Sequence, residues 1–462
     1  MIFIGRDDEL RKLNEDYKKD KFSLCVIYGR RRVGKTYLIK KFLQEKVAAY
    51  FVGVESDRYI NLNNLSRTIY KICKYREGLP PFTDIESGLR FLFEYSINNK
   101  IIFVIDEYPY LAESFHEISS VLQNLIDEYK FKSKLYLILC GSSMSFMEHQ
   151  VLGYKSPLYG RRTSQFKIEP FSYLEAGEFV KNYTNYNKAV VFGLTGGIAE
   201  YLTFFDDSIS LKENIINIFL SPQGRLYEEP SNLLKQELRE PGRYNDILYI
   251  ISNGASRVSE IANKLGVQTG SLNAYLDSLI ELGIVERKTP VKNRKTNRPV
   301  YVIKDSMFLF WYKFVQPNLN LINLNQGQKV YDYIIEKNLH EYMGKVFEKI
   351  GREYLETRIK NGQLNFMPLD YGNWWGNDPI RKKQSEIDIM AYDKENYLFI
   401  ECKWKNDPTT KEVLNELIEK SNIFSSLKKY YWLLSMSGFV NFAHDDNVEL
   451  ISLEEIYFED KI

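Results

Sequence analysis

The chain has 462 residues, 44% hydrophobic and 27% charged, and 62 Lys and Arg nearly balance 61 Asp and Glu for a formal charge of +1. This is the composition of a soluble globular protein of roughly two to four domains, and it excludes a polycation, so any nucleic-acid site must be a local patch. No apolar run is long enough to span a membrane, no signal-peptide pattern opens the chain, and Cys25, Cys73, Cys140 and Cys402 are scattered without disulfide or zinc spacing; a cytoplasmic protein with reduced thiols is expected.

The first predicted strand, Ser23 to Tyr28, runs into Gly29, Arg30, Arg31, Arg32, Val33, Gly34, Lys35 and Thr36. These fit the phosphate-binding pattern G-x-x-x-x-G-K-[ST] at every fixed position. A helix opening at Tyr37 follows, which completes the strand–loop–helix setting the motif requires. The glycines let backbone N–H groups approach phosphate oxygens. Lys35 is expected on the β- and γ-phosphates of a nucleotide triphosphate and Thr36 on Mg²⁺. Further short apolar runs at 49–54, 101–105 and 135–140, with a fifth at 163–168, read as parallel strands buried on both faces. The run Ile101 to Ile105 delivers Asp106 and Glu107 at its C-terminal end, where open α/β sheets bind ligands. Asp106 is expected to hold Mg²⁺ and Glu107 to accept a proton from the attacking water. Ser142 or Ser143, after the 135–140 strand, can sense the γ-phosphate, orient the water, or simply form a turn.

Residues from about 170 to 235 are predicted helical, with a break at Gly196-Gly197. Three helices (Tyr244 to Ser252, Arg257 to Leu265, Ser271 to Leu282) and a hairpin of 284–288 with 299–303 then describe a winged helix-turn-helix. Its second helix-turn-helix segment, Gln268 to Leu282, offers Gln268, Thr269, Ser271, Asn273 and Asp277 but no Lys or Arg. Phosphate contacts are therefore expected from the wing between Lys288 and Lys304, whose tip carries Lys292, Arg294, Lys295 and Arg298. Gln316 to Gln328 reads as a joint. In the last α/β unit, Glu386 to Tyr392 and Leu398 to Lys405 form a hairpin centred between Lys394 and Glu395. That register sets Asp388 opposite Glu401, with Lys403 on the same face as Glu401. Two facing carboxylates repel unless a hard cation such as Mg²⁺ or Mn²⁺ lies between them.

Asp106-Glu107, with polar residues after the next strand, resembles the AAA+ branch of P-loop ATPases. The N-terminal Gly5-Arg6-Asp7-Asp8-Glu9-Leu10, the Gly160-Arg161-Arg162 segment and Leu194-Thr195-Gly196-Gly197 narrow the resemblance to the archaeal ATPases, over essentially the whole chain. Ile198-Ala199 departs from it, since a proline usually follows the paired glycines. The resemblance implies an adenine pocket near Arg6, and Arg161 or Arg162 as an arginine finger or a structural residue. The D…E-x-K hairpin resembles the PD-(D/E)xK nucleases, which implies a further acid from the preceding helix, Glu348, and matches Trp374-Trp375-Gly376 before the first strand; the usual Pro-Asp element is absent. The expected architecture is a P-loop ATPase sheet at 1–175, a helical lid at 176–238, a winged helix at 239–316 and a restriction-endonuclease-like α/β domain at 329–462. The expected function is an ATP-hydrolysing switch acting on DNA, with a metal-dependent nuclease site of Glu348, Asp388, Glu401 and Lys403 and Mg²⁺ on Asp388 and Glu401. The alternative is a regulatory ATPase whose C-terminal fold only binds nucleic acid or protein, and a homo-oligomer or protein partner is open in either case.

Overall fold

Ser23–Tyr28 (β1), Ala48–Val52 (β2), Ile101–Asp106 (β3), Leu135–Gly141 (β4) and Ser164–Lys167 (β5) pair in parallel in the order β2-β3-β4-β1-β5. Every residue of β1, β3 and β4 is buried, as helices on both faces demand. One cluster, built on Leu24, Val26, Phe103, Ile105, Leu137 and Leu139, takes in the apolar stripes of Arg58–Ile72, Ile85–Asn98 and Ile118–Tyr129. Asp84 caps the second of these helices, its carboxylate accepting the Ser87 N–H while the Ser87 hydroxyl returns to the Asp84 backbone. The computed structural model describes residues 3–76, 78–292, 299–425 and 428–458. It divides into two compact units, Met1–Pro170 with Ile198–Glu200, and Phe171–Gly197 with Tyr201–Ile462. Among the described residues no helix is long and apolar enough to cross a membrane.

The second unit opens with short helices up to Glu229–Glu237. Gly197 (φ 79°) lies so close to the Phe171 carbonyl oxygen that a Cβ would meet it at 2.0 Å. Pro241–Ser252, Val258–Leu265 and Thr269–Glu281 follow, then the antiparallel pair Val285–Lys288 (β6) and Val300–Ile303 (β7), with Val285 opposite Ile303. Gly266, left-handed at φ 66°, ends the middle helix. The segment read as a joint is instead folded. Leu319–Asn323 and Gly327–Val330 are helical, and Ile322 and Val330 are buried. Its apolar residues have a surface to bury, and Gly327 approaches the Leu220 carbonyl more closely than any side chain would permit.

Asp370–Asp378 (β8), Lys383–Tyr392 (β9), Asn396–Lys403 (β10), Lys428–Ser435 (β11) and Val448–Ser452 (β12) form a mixed sheet in the order β12-β11-β10-β9-β8. β8, β9 and β10 are antiparallel, while β10, β11 and β12 run parallel. The long helix Glu336–Lys360 packs on it through Gly351, where an added Cβ would meet the Cys402 Sγ at 2.8 Å. Trp374-Trp375-Gly376 precedes the strand read at Glu386 to Tyr392 and itself lies in a further strand, β8, an edge strand whose polar and glycine content hides it in the sequence.

Candidate functional site

The Gly29–Thr36 loop links β1 to the helix Lys35–Leu43. Gly29 passes the Ile168 carbonyl oxygen so tightly that a Cβ would meet it at 2.3 Å, and Gly34 is left-handed at φ 96°. Lys35 is buried and donates from Nζ to the carbonyl oxygens of Gly29 (2.7 Å) and Arg30 (2.9 Å). Burial lowers the pKa of its ammonium. The Thr36 hydroxyl donates to Asp106 Oδ2 at 3.4 Å. Asp106, at the end of β3, also accepts the Tyr50 hydroxyl on Oδ2 and the Glu107 N–H on Oδ1 (2.9 Å). Glu107 itself is left-handed, φ 47° and ψ 47°, an uncommon state for a residue with a Cβ. The Ser142 hydroxyl, just past β4, lies 3.1 and 3.0 Å from its two carboxylate oxygens.

The rest of the loop is anchored from outside. Arg31 Nη2 donates to the Tyr110 hydroxyl at 2.9 Å. The Arg32 carbonyl accepts the Glu200 N–H at 3.2 Å, and its guanidinium lies 3.8 Å from the Glu200 carboxylate. Val33 is buried. Arg6 donates to the backbone oxygens of Glu169 and Val33, and pairs with Glu9 at 3.4 Å. The half-exposed Tyr37 stacks on Phe3 with centroids 5.7 Å apart. Arg161 grips Asp127 with Nη2 at 2.6 Å and Nε at 3.2 Å, and Arg162 donates to the Leu152 carbonyl at 3.5 Å. Both have structural partners of this kind.

Tyr50 was hidden in the sequence, a phenol inside an otherwise apolar run. Burial raises its pKa, with the hydrogen bond to Asp106 adding to the effect. Tyr50→Phe removes a donor from a buried carboxylate and is expected to cost about 1–3 kcal/mol, read by chemical denaturation as a lower midpoint with an unchanged slope.

A second set of polar groups lies in the C-terminal sheet. β9 and β10 pair with the expected register, from Tyr392 opposite Tyr397 to Ile389 opposite Ile400. The ladder stops there, one step short of the predicted Asp388–Glu401 pair. The β8–β9 register shifts at this point, setting Asp388 and Ile389 against the single residue Asn373. At the bulge, Asp388 Oδ2 accepts the Cys402 N–H at 2.8 Å. Glu401 is buried, with Lys403 Nζ 2.6 Å from Oε1 and Lys420 Nζ 3.3 Å from Oε2. Burial, then the charge of Asp388, pushes Glu348 up to about 8; burial, then Glu401, pushes Asp388 up to about 7. Among the described residues no three His, Cys, Asp or Glu side chains are arranged to hold a metal ion. Lys420, on the helix Lys411–Ser421, was missed because only tertiary packing aims it at Glu401.

The stretch read as a basic wing is described only in part. Arg294, Lys295 and Arg298 lie outside the described residues. Lys288 pairs with Glu286 at 3.2 Å. Lys292 does not offer itself to phosphate as expected. Its ammonium lies over the rings of Tyr397 and Tyr392, where the apolar surroundings lower its pKa. Gln268, Thr269, Ser271, Asn273 and Asp277 are all exposed.

Residues 3–205 match a family described as an ATPase domain predominantly from Archaea, and residues 311–418 match one described as archaeal and bacterial proteins of unknown function. An uncharacterized protein of Methanocaldococcus jannaschii is 33% identical over 442 residues, 93% of this chain and 94% of its own length. An uncharacterized ATP-binding protein of the same organism is 50% identical over 46 residues, 10% of this chain and 78% of that protein. Among solved structures, a Walker-type ATPase of Pyrococcus abyssi shares the fold with a TM-score of 0.51 and 22% identity, over 67% of this chain and 96% of that one. A likeness running almost end to end, through both matched segments, makes this chain a member of the archaeal ATPase family.

Proposed function

We propose that this protein binds and hydrolyses ATP at the Gly29–Thr36 loop and uses the cycle to act on DNA. The observation that carries the first half is the convergence of Lys35, Thr36, Asp106, Glu107 and Ser142 at the C-terminal ends of β1, β3 and β4. Their chemistry fits a magnesium nucleotide, with a hydroxyl and a carboxylate as hard oxygen donors and a lysine beside a loop whose tight glycine leaves no room for a Cβ. Thr36 and Asp106 would hold Mg²⁺, and Lys35 with the loop N–H groups would hold the phosphates. Mg²⁺ would supply charge neutralisation of the phosphate oxygens. Glu107 takes the proton of the attacking water on a carboxylate oxygen, and the Ser142 hydroxyl fixes that carboxylate's orientation. Arg6, which donates to the Val33 carbonyl, and Tyr37, next to Thr36, would border the adenine. Steady-state ATP turnover with Mg²⁺ tests this. Lys35→Ala is expected to abolish nucleotide binding and turnover together, and turnover that survives the substitution would remove the site from the account.

The second half rests on the three helices and hairpin of 241–303, read as a winged helix whose exposed Gln268, Thr269, Ser271 and Asn273 can hydrogen-bond bases. The C-terminal set of Glu348, Asp388, Glu401 and Lys403 would then cut or hold the bound strand. A second reading is favoured by one observation: Lys403 and Lys420 both pair with Glu401, so ammonium groups already meet the charge of that carboxylate. On that reading the fold binds nucleic acid or protein without cleavage, and the ATPase is regulatory.

A further inference from the structure

Val291 and Lys292, shortly after β6, pack against the C-terminal sheet. Val291, at its start, is fully buried in a cluster with Trp374, Ile387, Met390 and Phe399. Lys292, left-handed at φ 67°, holds its ammonium 4.5 Å from the ring centroid of Tyr397, 4.9 Å from that of Tyr392 and 5.7 Å from that of Phe424, and donates to the Tyr397 hydroxyl. Three rings around one partly desolvated cation make a strong seat. The Val291 N–H donates to the main-chain oxygen of Asn373 at 2.9 Å. Asn373 reaches the other way with its side chain, Nδ2 donating to the Asp388 carbonyl at 2.6 Å. It is the single residue facing the bulge of Asp388 and Ile389, and the Asp388 carboxylate takes the Cys402 N–H. A continuous line of contacts therefore runs from Lys292 through Val291, Asn373 and Asp388 to Cys402, which lies between Glu401 and Lys403.

A bulge gives up ladder hydrogen bonds and re-aims a side chain. At this one, the side-chain amide of Asn373 supplies the bond that holds Asp388. We propose that Asn373 is a positioning residue for Asp388, and that docking of Val291 and Lys292 sets that position, so the C-terminal acidic site responds to whatever engages the three-helix module. This regulation rests on reading Glu348, Asp388, Glu401 and Lys403 as one site. The geometry separates its two links. Docking uses the main-chain oxygen of residue 373, which any residue supplies, whereas the hold on Asp388 uses the asparagine side chain.

Hydrogen–deuterium exchange on the full chain, followed at the Val291 and Cys402 amides, tests this without any cleavage. Lys292→Ala is expected to speed both amides about tenfold or more, as local opening does. Asn373→Ala is expected to speed Cys402 alone. The double variant should be no faster at Cys402 than Asn373→Ala, the non-additivity of one shared path. The proposal is overturned if Lys292→Ala frees Val291 and leaves Cys402 unchanged, if it changes neither, or if the two effects multiply. Lys292→Met keeps the aliphatic stem among the rings without the charge, and gives the same comparison where the alanine variant does not fold. This exchange pattern in the variants, beside wild-type protein that cuts no DNA, overturns the nuclease reading and leaves the coupling standing.

Discussion

Glu107→Gln is expected to keep ATP binding intact and to lower turnover by about a hundredfold or more, the loss typical of a missing general base. The substitution is isosteric, and the groups expected on nucleotide and metal are untouched: Lys35 stays on its loop carbonyls, and Asp106 keeps Tyr50 and Thr36. What changes is the basicity of the carboxylate. Glutamine still accepts the Ser142 hydroxyl on its carbonyl oxygen, so the position survives while the proton acceptor is lost. The left-handed backbone at Glu107 persists only where the surroundings impose it, and here it points the carboxylate toward the Ser142 hydroxyl. A nucleotide-binding titration beside a turnover assay separates the two properties. Equal turnover in wild type and variant would remove Glu107 as the base.

Asp388→Asn is expected to abolish any metal-dependent cleavage of DNA and, separately, to change how stability depends on pH. The folded state pushes Asp388 up to about 7 from 3.8, through burial and the charge of Glu401, and Glu348 up to about 8 from 4.5, through burial and the charge of Asp388. Between those ordinary values and the raised ones the folded chain binds protons that the unfolded chain has released. Stability therefore falls as pH rises across that window, and levels off above about 8. Removing one of the coupled charges flattens the slope, so the variant gains on the wild type by at least about 1 kcal/mol above pH 8 and shows little difference below pH 4. Thermal unfolding across that range reads the stability effect, and an oligonucleotide assay with Mg²⁺ or Mn²⁺ reads the chemistry. A pH profile identical in the two proteins would mean that Asp388 is ionised in the fold, and cleavage that persists in the variant would move the site elsewhere.

The parts of this account that were legible in the sequence are those fixed by local pattern. Gly29–Thr36 declared a phosphate loop because its fixed positions, Gly29, Gly34, Lys35 and Thr36, serve the loop's own geometry and chemistry. β1, β3 and β4 declared themselves because strands covered on both faces must be apolar throughout. The β9–β10 register followed from the short turn alone. What was not legible depends on residues distant in the chain. Tyr50 reaches Asp106 across 56 positions and Lys420 reaches Glu401 across 19. The bulge that takes Asp388 out of its expected pairing is set by Asn373 on β8, a strand whose tryptophans and glycines gave no alternation to follow. Lys292 illustrates the same limit: a lysine in a basic hairpin reads as a phosphate contact, and only the fold shows the aromatic rings that take it.

The claim that the ATPase acts on DNA is tested most directly by ATP turnover of the full chain with Mg²⁺, measured with and without single-stranded, duplex and branched DNA. Turnover is expected to rise several-fold with at least one of these DNAs and to disappear in Lys35→Ala whether DNA is present or not. Turnover that is measurable but identical with every DNA, together with no mobility shift in the presence of ATP, would contradict it and leave the regulatory reading in its place.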